Sequence, residues 1–237
     1  MTLRQRLRDA LLIATLALGG AAHAQSVGGS VGIASDYVYR GISQSSGDLS
    51  AQVDLHYYGQ QNWYAGFWAA SVRRGDDHTT AELNAYLGYN FAIATDWNGS
   101  VSFVHYDYPW NHPRRSYTYD ELSATLAYGD RVFVSVAASP NTSIERSYDR
   151  TARSAAFAYD LALHQPIARG WSADAGIGYY DLRRQLDDGY AYYSAGLGYR
   201  WRALQLQLLY IGTTVAAKRL FYDDAAHEWT VAALWRF

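Results

Sequence analysis

The sequence contains no cysteine, which excludes a disulfide framework and any thiolate chemistry. Lysine is almost missing as well: Lys218 is the only one, so nearly every cation is an arginine. Four prolines leave few places where a long strand has to break. Beyond the amino-terminal segment no apolar run approaches the length of a spanning helix, and the mean hydropathy is −0.25. A chain of this kind in a membrane crosses it as strands. No basic excess is present either, which argues against a nucleic-acid partner.

The amino terminus is of a different kind. Arg4, Arg6 and Arg8 precede an apolar run from Ala10 to Leu18, and Ala22-His23-Ala24 follows as a small-residue cleavage pattern. Charge, short apolar stretch and A-x-A together read as a secretory signal peptide over residues 1–24. An anchor helix needs about 17 or more apolar residues, which this run does not reach. Cleavage after Ala24 leaves a single unit, residues 25–237, with 17 basic and 21 acidic side chains and a formal net charge of −4.

Most of that unit alternates with period two. Leu49, Ala51, Val53, Leu55 and Tyr57 oppose Ser50, Gln52, Asp54 and His56; Ala81, Leu83, Ala85 and Leu87 oppose Glu82, Asn84, Tyr86 and Gly88. Leu204, Leu206, Leu208 and Tyr210 repeat the pattern against Gln205 and Gln207. A half-apolar strand alternates this way and a helix does not. Twelve such segments start near residues 28, 49, 63, 80, 98, 118, 131, 153, 171, 190, 203 and 226, with no helical stripe of useful length between them. In "GSVSFVHYDYPW" neither face is plainly polar, which suggests a bulge.

The connections sort by parity. After even segments they are short ("GQQN", "IATD", "GD", "RA"), with "HQPIARG" as an exception; after odd segments they are long and charged. "PNTSIERSYDRTA" among the latter is long enough to fold into a lumen. Tyr57, Tyr89, Tyr128, Tyr179, Tyr199, Trp201, Trp229 and Phe237 fall near segment ends on the apolar face, where a girdle places its rings. The final stretch "WTVAALWRF" ends on such a face and should close onto the first strand. These features together predict an all-β fold, a transmembrane antiparallel up-and-down β-barrel of about twelve strands. A secreted β-sandwich also alternates, but its loops need not sort by parity.

"SDYVYRGISQSSGDLSAQ" at 35–52 resembles the opening motif of the TorF-family porins, an S-D-Y-x-x-R-G-x-S-Q core met by Ser35, Asp36, Tyr37, Arg40, Gly41, Ser43 and Gln44. "NWYAGFWAASV" at 62–72, "YDELSATLAYG" at 119–129 and "HYDYPWN" at 105–111 are similar to further segments of that family. The resemblance implies a porin in the outer membrane of a Gram-negative bacterium that passes small polar solutes without a cofactor. The terminal Phe237 resembles the signal read by the β-barrel assembly machinery, a transient partner.

Extended alternation puts Asp36 and Arg40 on the inward face of a first strand running to residue 40, with Tyr37 and Tyr39 outward. The expected lumen set is Asp36, Gln52, Asp54, Glu82, Glu121, Asp160, Asp174 and Glu228 with Arg40, Arg131, Arg200 and Arg236. Such charges either sort solutes by sign or fill the lumen as an ion-pair network. An open channel with this acid excess should favour cations or neutral solutes. Arg73-Arg74, Arg114-Arg115, Arg183-Arg184 and Lys218-Arg219 all lie in long connections, where guanidinium pairs suit lipopolysaccharide phosphates. Acids beside them allow a self-paired rim instead. That leaves a non-conducting structural or surface-binding barrel as the alternative. For an outer-membrane hydrolase, His105 with Ser102 and His227 beside Glu228 were the pairs to weigh, and neither has a third orienting group. The spacing of His105 and His112 is not one that holds a metal.

Overall fold

The computed structural model describes residues 26–74, 79–110, 117–147 and 150–237, so the signal segment 1–24 lies outside the described residues. Twelve antiparallel strands form a closed barrel. They are β1 (Ser26–Ala34), β4 (Ser50–Tyr58), β5 (Trp63–Arg74), β6 (Thr79–Ala94), β7 (Trp97–Asp107) and β8 (Tyr119–Tyr128). The second half comprises β9 (Val132–Ser147), β10 (Arg150–Ala168), β11 (Trp171–Asp181), β12 (Gly189–Trp201), β13 (Leu204–Thr213) and β14 (His227–Arg236). Each wall strand pairs with its neighbour in sequence, and β14 closes on β1 through pairs such as Val31 with Trp235. Phe237 completes the seam, its backbone exchanging two 3.0 Å hydrogen bonds with Gly29.

Alternation decides what each side chain meets. Val31, Val53, Phe67, Leu87, Leu126, Leu161, Leu208 and Val231 face outward, while Ser50, Glu82, Thr125, Ser135, Asp174, Ser194 and Gln207 face the lumen. All eight aromatics expected to form a girdle lie on the outward face. At the short-turn end three cross-strand pairs repeat one arrangement: Trp63–Tyr89, Trp97–Tyr128 and Trp171–Tyr199, with ring centroids 4.9, 4.8 and 4.8 Å apart. Tyr210 and Trp229, at 5.4 Å, belong to a second belt near the long-loop end.

Several expectations need correction. The pairing of β7 with β8 runs unbroken from Trp97–Tyr128 to Tyr106–Tyr119, so no bulge interrupts it. "HQPIARG" is no exception: β10 runs on to Ala168, and the turn is only Arg169-Gly170. The described part of "PNTSIERSYDRTA" is strand and not loop, because β9 and β10 continue as paired strands to Ser147 and Arg150. Two short helices occur in long connections, α1 (Arg183–Leu186) and α2 (Val215–Phe221).

The largest departure follows β1, which leaves the wall at Ala34 rather than running on to Arg40. The next residues form a separate two-stranded hairpin, β2 (Val38–Tyr39) and β3 (Ile42–Ser43). Arg40 and Gly41 are its turn, both at positive φ (49° and 77°), the backbone a tight two-residue hairpin requires. A Cβ at position 41 would stand 2.5 Å from Thr213 Cγ2, so this place needs glycine twice over. Tyr37 and Tyr39 are 8% exposed, buried inside the barrel and not on its outer face.

Candidate functional site

The hairpin occupies the long-loop half of the lumen and packs on three sides. Tyr37 and Tyr39 join a cluster with Tyr64, Tyr86, Tyr106, Tyr108 and Tyr119 from the β5–β8 side. Ile42 packs with Leu182, Tyr190, Tyr192 and Ala217, where α1 and α2 close the end of the barrel. Val38 meets Leu209, Ile211 and Ala226. Backbone bonds fix the hairpin at its tip and its base: Ala226 N–H donates to the Gly41 carbonyl and Arg73 N–H to that of Gln44, both at 2.8 Å. At the root, Asp36 Oδ1 accepts hydrogen bonds from the hydroxyls of Ser43 and Ser45.

Arg40 points from the turn at β8. Its two terminal nitrogens donate to the two oxygens of Glu121 at 2.8 and 2.9 Å, a bidentate pair. Ser139 donates to the same carboxylate at 3.1 Å. The guanidinium carbon lies 4.8 Å from the ring centroids of both Tyr39 and Tyr180. With Arg40 and Glu121 only 6% and 5% exposed, each charge depends on the other.

The other inward acids, Glu228 excepted, also face hydrogen-bond donors. Asp54 accepts from Tyr86 at 2.6 Å and adjoins His56. Glu82 accepts from Asn84 at 2.8 Å and Tyr37 at 3.4 Å. Asp160 accepts from Tyr192, and Asp174 stands 2.6 Å from His164 Nδ1 and accepts from Ser172 at 3.0 Å. Glu228 faces Asp36 near the hairpin root. Gln52, Arg200 and Arg236 take inward positions, the two arginines near the short turns.

Below the hairpin tip a cavity of about 90 Å³ is lined by Arg40, Glu121, Ser102, Ser123, Thr125 and Ser194, among others. At the short-turn mouth a vestibule of about 490 Å³ is lined by Asn98, Arg131, His164, Arg200 and Gln205. Of these serines sequence reasoning singled out only Ser102, and that for hydrolysis, and it missed the inward tyrosines as a group. Their signal was phase: Tyr86 alternates with Glu82 and Asn84, and Tyr192 with Ser194.

The basic pairs are partly engaged. Arg73 is paired with Asp48, and Arg219 Nη2 lies 3.4 Å from Asp188. Arg183 binds Asp181 through Nε at 2.9 Å and Nη2 at 2.6 Å, and these hydrogen bonds raise its pKa above the ordinary arginine value. Arg184 lies over the Phe157 ring at 5.8 Å, and Lys218 is exposed on α2. The side chain of Arg74, and both Arg114 and Arg115, lie outside the described residues. A groove of about 420 Å³ on the outer wall runs between Arg183 and Arg184 and the side chains of Ala155, Phe157 and Tyr159. The two pairings weighed for hydrolysis are split by the wall: Ser102 faces in and His105 out, Glu228 in and His227 out. Among the described residues no group of three or more His, Cys, Asp or Glu could hold a metal ion.

The family described as "Bacterial protein of unknown function (Gcw_chp)" matches residues 19–237. The chain belongs to this family. No curated protein matches it in sequence. Among solved structures, this Gcw_chp member is similar to the NanC porin at 9% identity and a TM-score of 0.58, over 89% of this chain and 98% of that one. The KdgM porin matches at 6% identity and a TM-score of 0.53, over 90% and 99%. KdgM in complex with disordered oligogalacturonate gives a TM-score of 0.55 at 6% identity. Identities this low show a shared barrel fold and nothing finer.

Proposed function

We propose that this protein is an outer-membrane channel of the TorF type, passing small polar solutes by passive diffusion through a lumen narrowed by the β2–β3 hairpin. The observation that carries the reading is a cavity below Arg40 inside a closed barrel, where hydroxyls and charged groups are set among apolar side chains such as Val104, Leu209 and Ile211, with a vestibule of mixed polarity at the short-turn mouth. The apolar outer face and its two aromatic belts suit outer-membrane lipid. The amino-terminal segment fits export, and the Phe237 seam fits recognition by the assembly machinery. The fold shared with two porins supports the same reading.

Osmotic swelling of proteoliposomes in polar solutes of increasing size tests it. Rates above those of protein-free vesicles, falling steeply with solute size, are expected. Rates equal to those of protein-free vesicles, from protein shown folded by heat-modifiable migration, would reject the channel.

A second reading has its own observation. The hairpin is packed like a core, and the outer-wall groove sets two arginines above apolar side chains. A non-conducting barrel that contacts lipopolysaccharide, phosphate toward the arginines and acyl chain along Phe157, fits that surface. Replacing Arg183 and Arg184 together with Gln should then weaken co-purification of lipopolysaccharide; unchanged lipid content would reject it.

A further inference from the structure

We infer that the solute this lumen takes is a small neutral polyol, and that the Arg40–Glu121 pair turns ions of both signs away. The inference rests on the channel reading above and names its substrate class. Polar groups of two kinds reach the cavity below the hairpin. The first kind is hydroxyl: Ser100, Ser102, Ser123, Thr125, Ser135 and Ser194, from β7, β8, β9 and β12, with the Gln207 amide beside them. A hydroxyl donates one hydrogen bond and accepts up to two, and so does each hydroxyl of a polyol. Ser102 and Ser123 stand 2.7 Å apart, and Thr125 and Ser135 2.8 Å. Each pair spends one hydrogen on itself; Ser102 also meets the Tyr64 hydroxyl, while the Thr125–Ser135 pair leaves its other hydrogen, and both pairs leave lone pairs, for a passing solute.

The second kind is charge, and it is already committed. Glu121 is held by Arg40, Asp160 by Tyr192, and Asp174 by His164 and Ser172. An anion that takes the two Arg40 hydrogen bonds now made to Glu121 strands a buried carboxylate. A cation at Glu121 strands a buried guanidinium. Removing one partner of a buried pair is far costlier than the pair is worth, so either ion meets a barrier that a neutral solute does not. Size sets only a ceiling, since a cavity of about 90 Å³ admits small solutes, charged or neutral.

The test is uptake of labelled erythritol, threonate and choline by proteoliposomes holding the full barrel. Wild type should take up erythritol about tenfold faster than either ion. Glu121→Gln, which frees the Arg40 charge, should raise the ratio of threonate to erythritol uptake about tenfold. Arg40→Gln should raise choline uptake instead. Wild-type uptake of threonate or choline as fast as erythritol overturns the inference while the channel reading stands. Entry of none of the three overturns the channel reading and this inference with it. Preference for erythritol in wild type with no change of ion uptake in either folded variant removes the role given to the ion pair. If a variant fails to show heat-modifiable folding, the wild-type comparison still decides the solute class.

Discussion

In the long-loop half of the lumen Tyr106 and Tyr119 stack with centroids 4.3 Å apart and planes at 8°, roofed by a hairpin that belongs to no wall strand. Farther along β8, Thr125 faces Ser135 at 2.8 Å, next to open space. Both halves rest on the same inward alternation of the same strands. The difference is residue size: rings above, which close on Tyr37 and Tyr39, and small hydroxyls below, which cannot meet across the barrel. A twelve-stranded barrel lies between filled and open cases, and here each case occupies one half.

The comparison breaks most severely at the ion pair joining the halves. Glu121→Ala leaves the Arg40 guanidinium buried without its carboxylate and should cost about 3–5 kcal/mol, read from urea unfolding of the folded barrel. A loss below 1 kcal/mol would mean that water reaches Arg40 freely. Next is the turn itself. Gly41→Val forces a β-branched side chain to positive φ against Thr213 and Tyr192, which should cost about 1–3 kcal/mol and widen the solute size limit as the tip shifts. An unchanged size limit would separate the hairpin from the constriction. The smallest effect belongs to the lower half. Thr125→Val should cost about 1 kcal/mol by leaving Ser135 without its partner, and adding Ser135→Ala should restore most of it. A double variant as unstable as the sum would show that the hydroxyls hold the barrel together rather than only line it.

The wall was legible because one rule writes it. Period-two alternation located the starts of all twelve strands to within about three residues, and the closure by Trp229–Phe237, since lipid-type and lumen-type neighbours demand opposite chemistry at each step. Loop parity did not hold everywhere: after β9 paired strands take the place of the expected long loop. The hairpin was not legible by that rule. Asp36, Val38 and Arg40 alternate with tyrosines as a wall strand would, but a segment inside a lumen is buried on every side, so alternation there carries no face. One signal was available: Arg-Gly occurs at 40–41, 74–75 and 169–170, and the first and last of these are turns at positive φ. The first could be recognised only by noticing that β1 had already spanned the wall at Ala34. The site divides likewise. Glu82, Glu121 and Asp174 were found by phase, whereas the pairing of Arg40 with Glu121 joins residues far apart in sequence and depends on the fold.

The native absence of cysteine makes the central claim directly measurable. Single cysteines at Val38 and at Gly47, which lies on the exposed stretch after the hairpin, would be labelled by a membrane-impermeant maleimide in intact outer membranes. The account predicts rapid labelling at 47 and protection at 38 until the barrel is denatured. Equal, rapid labelling at both positions would contradict it, because the hairpin would then lie outside the lumen.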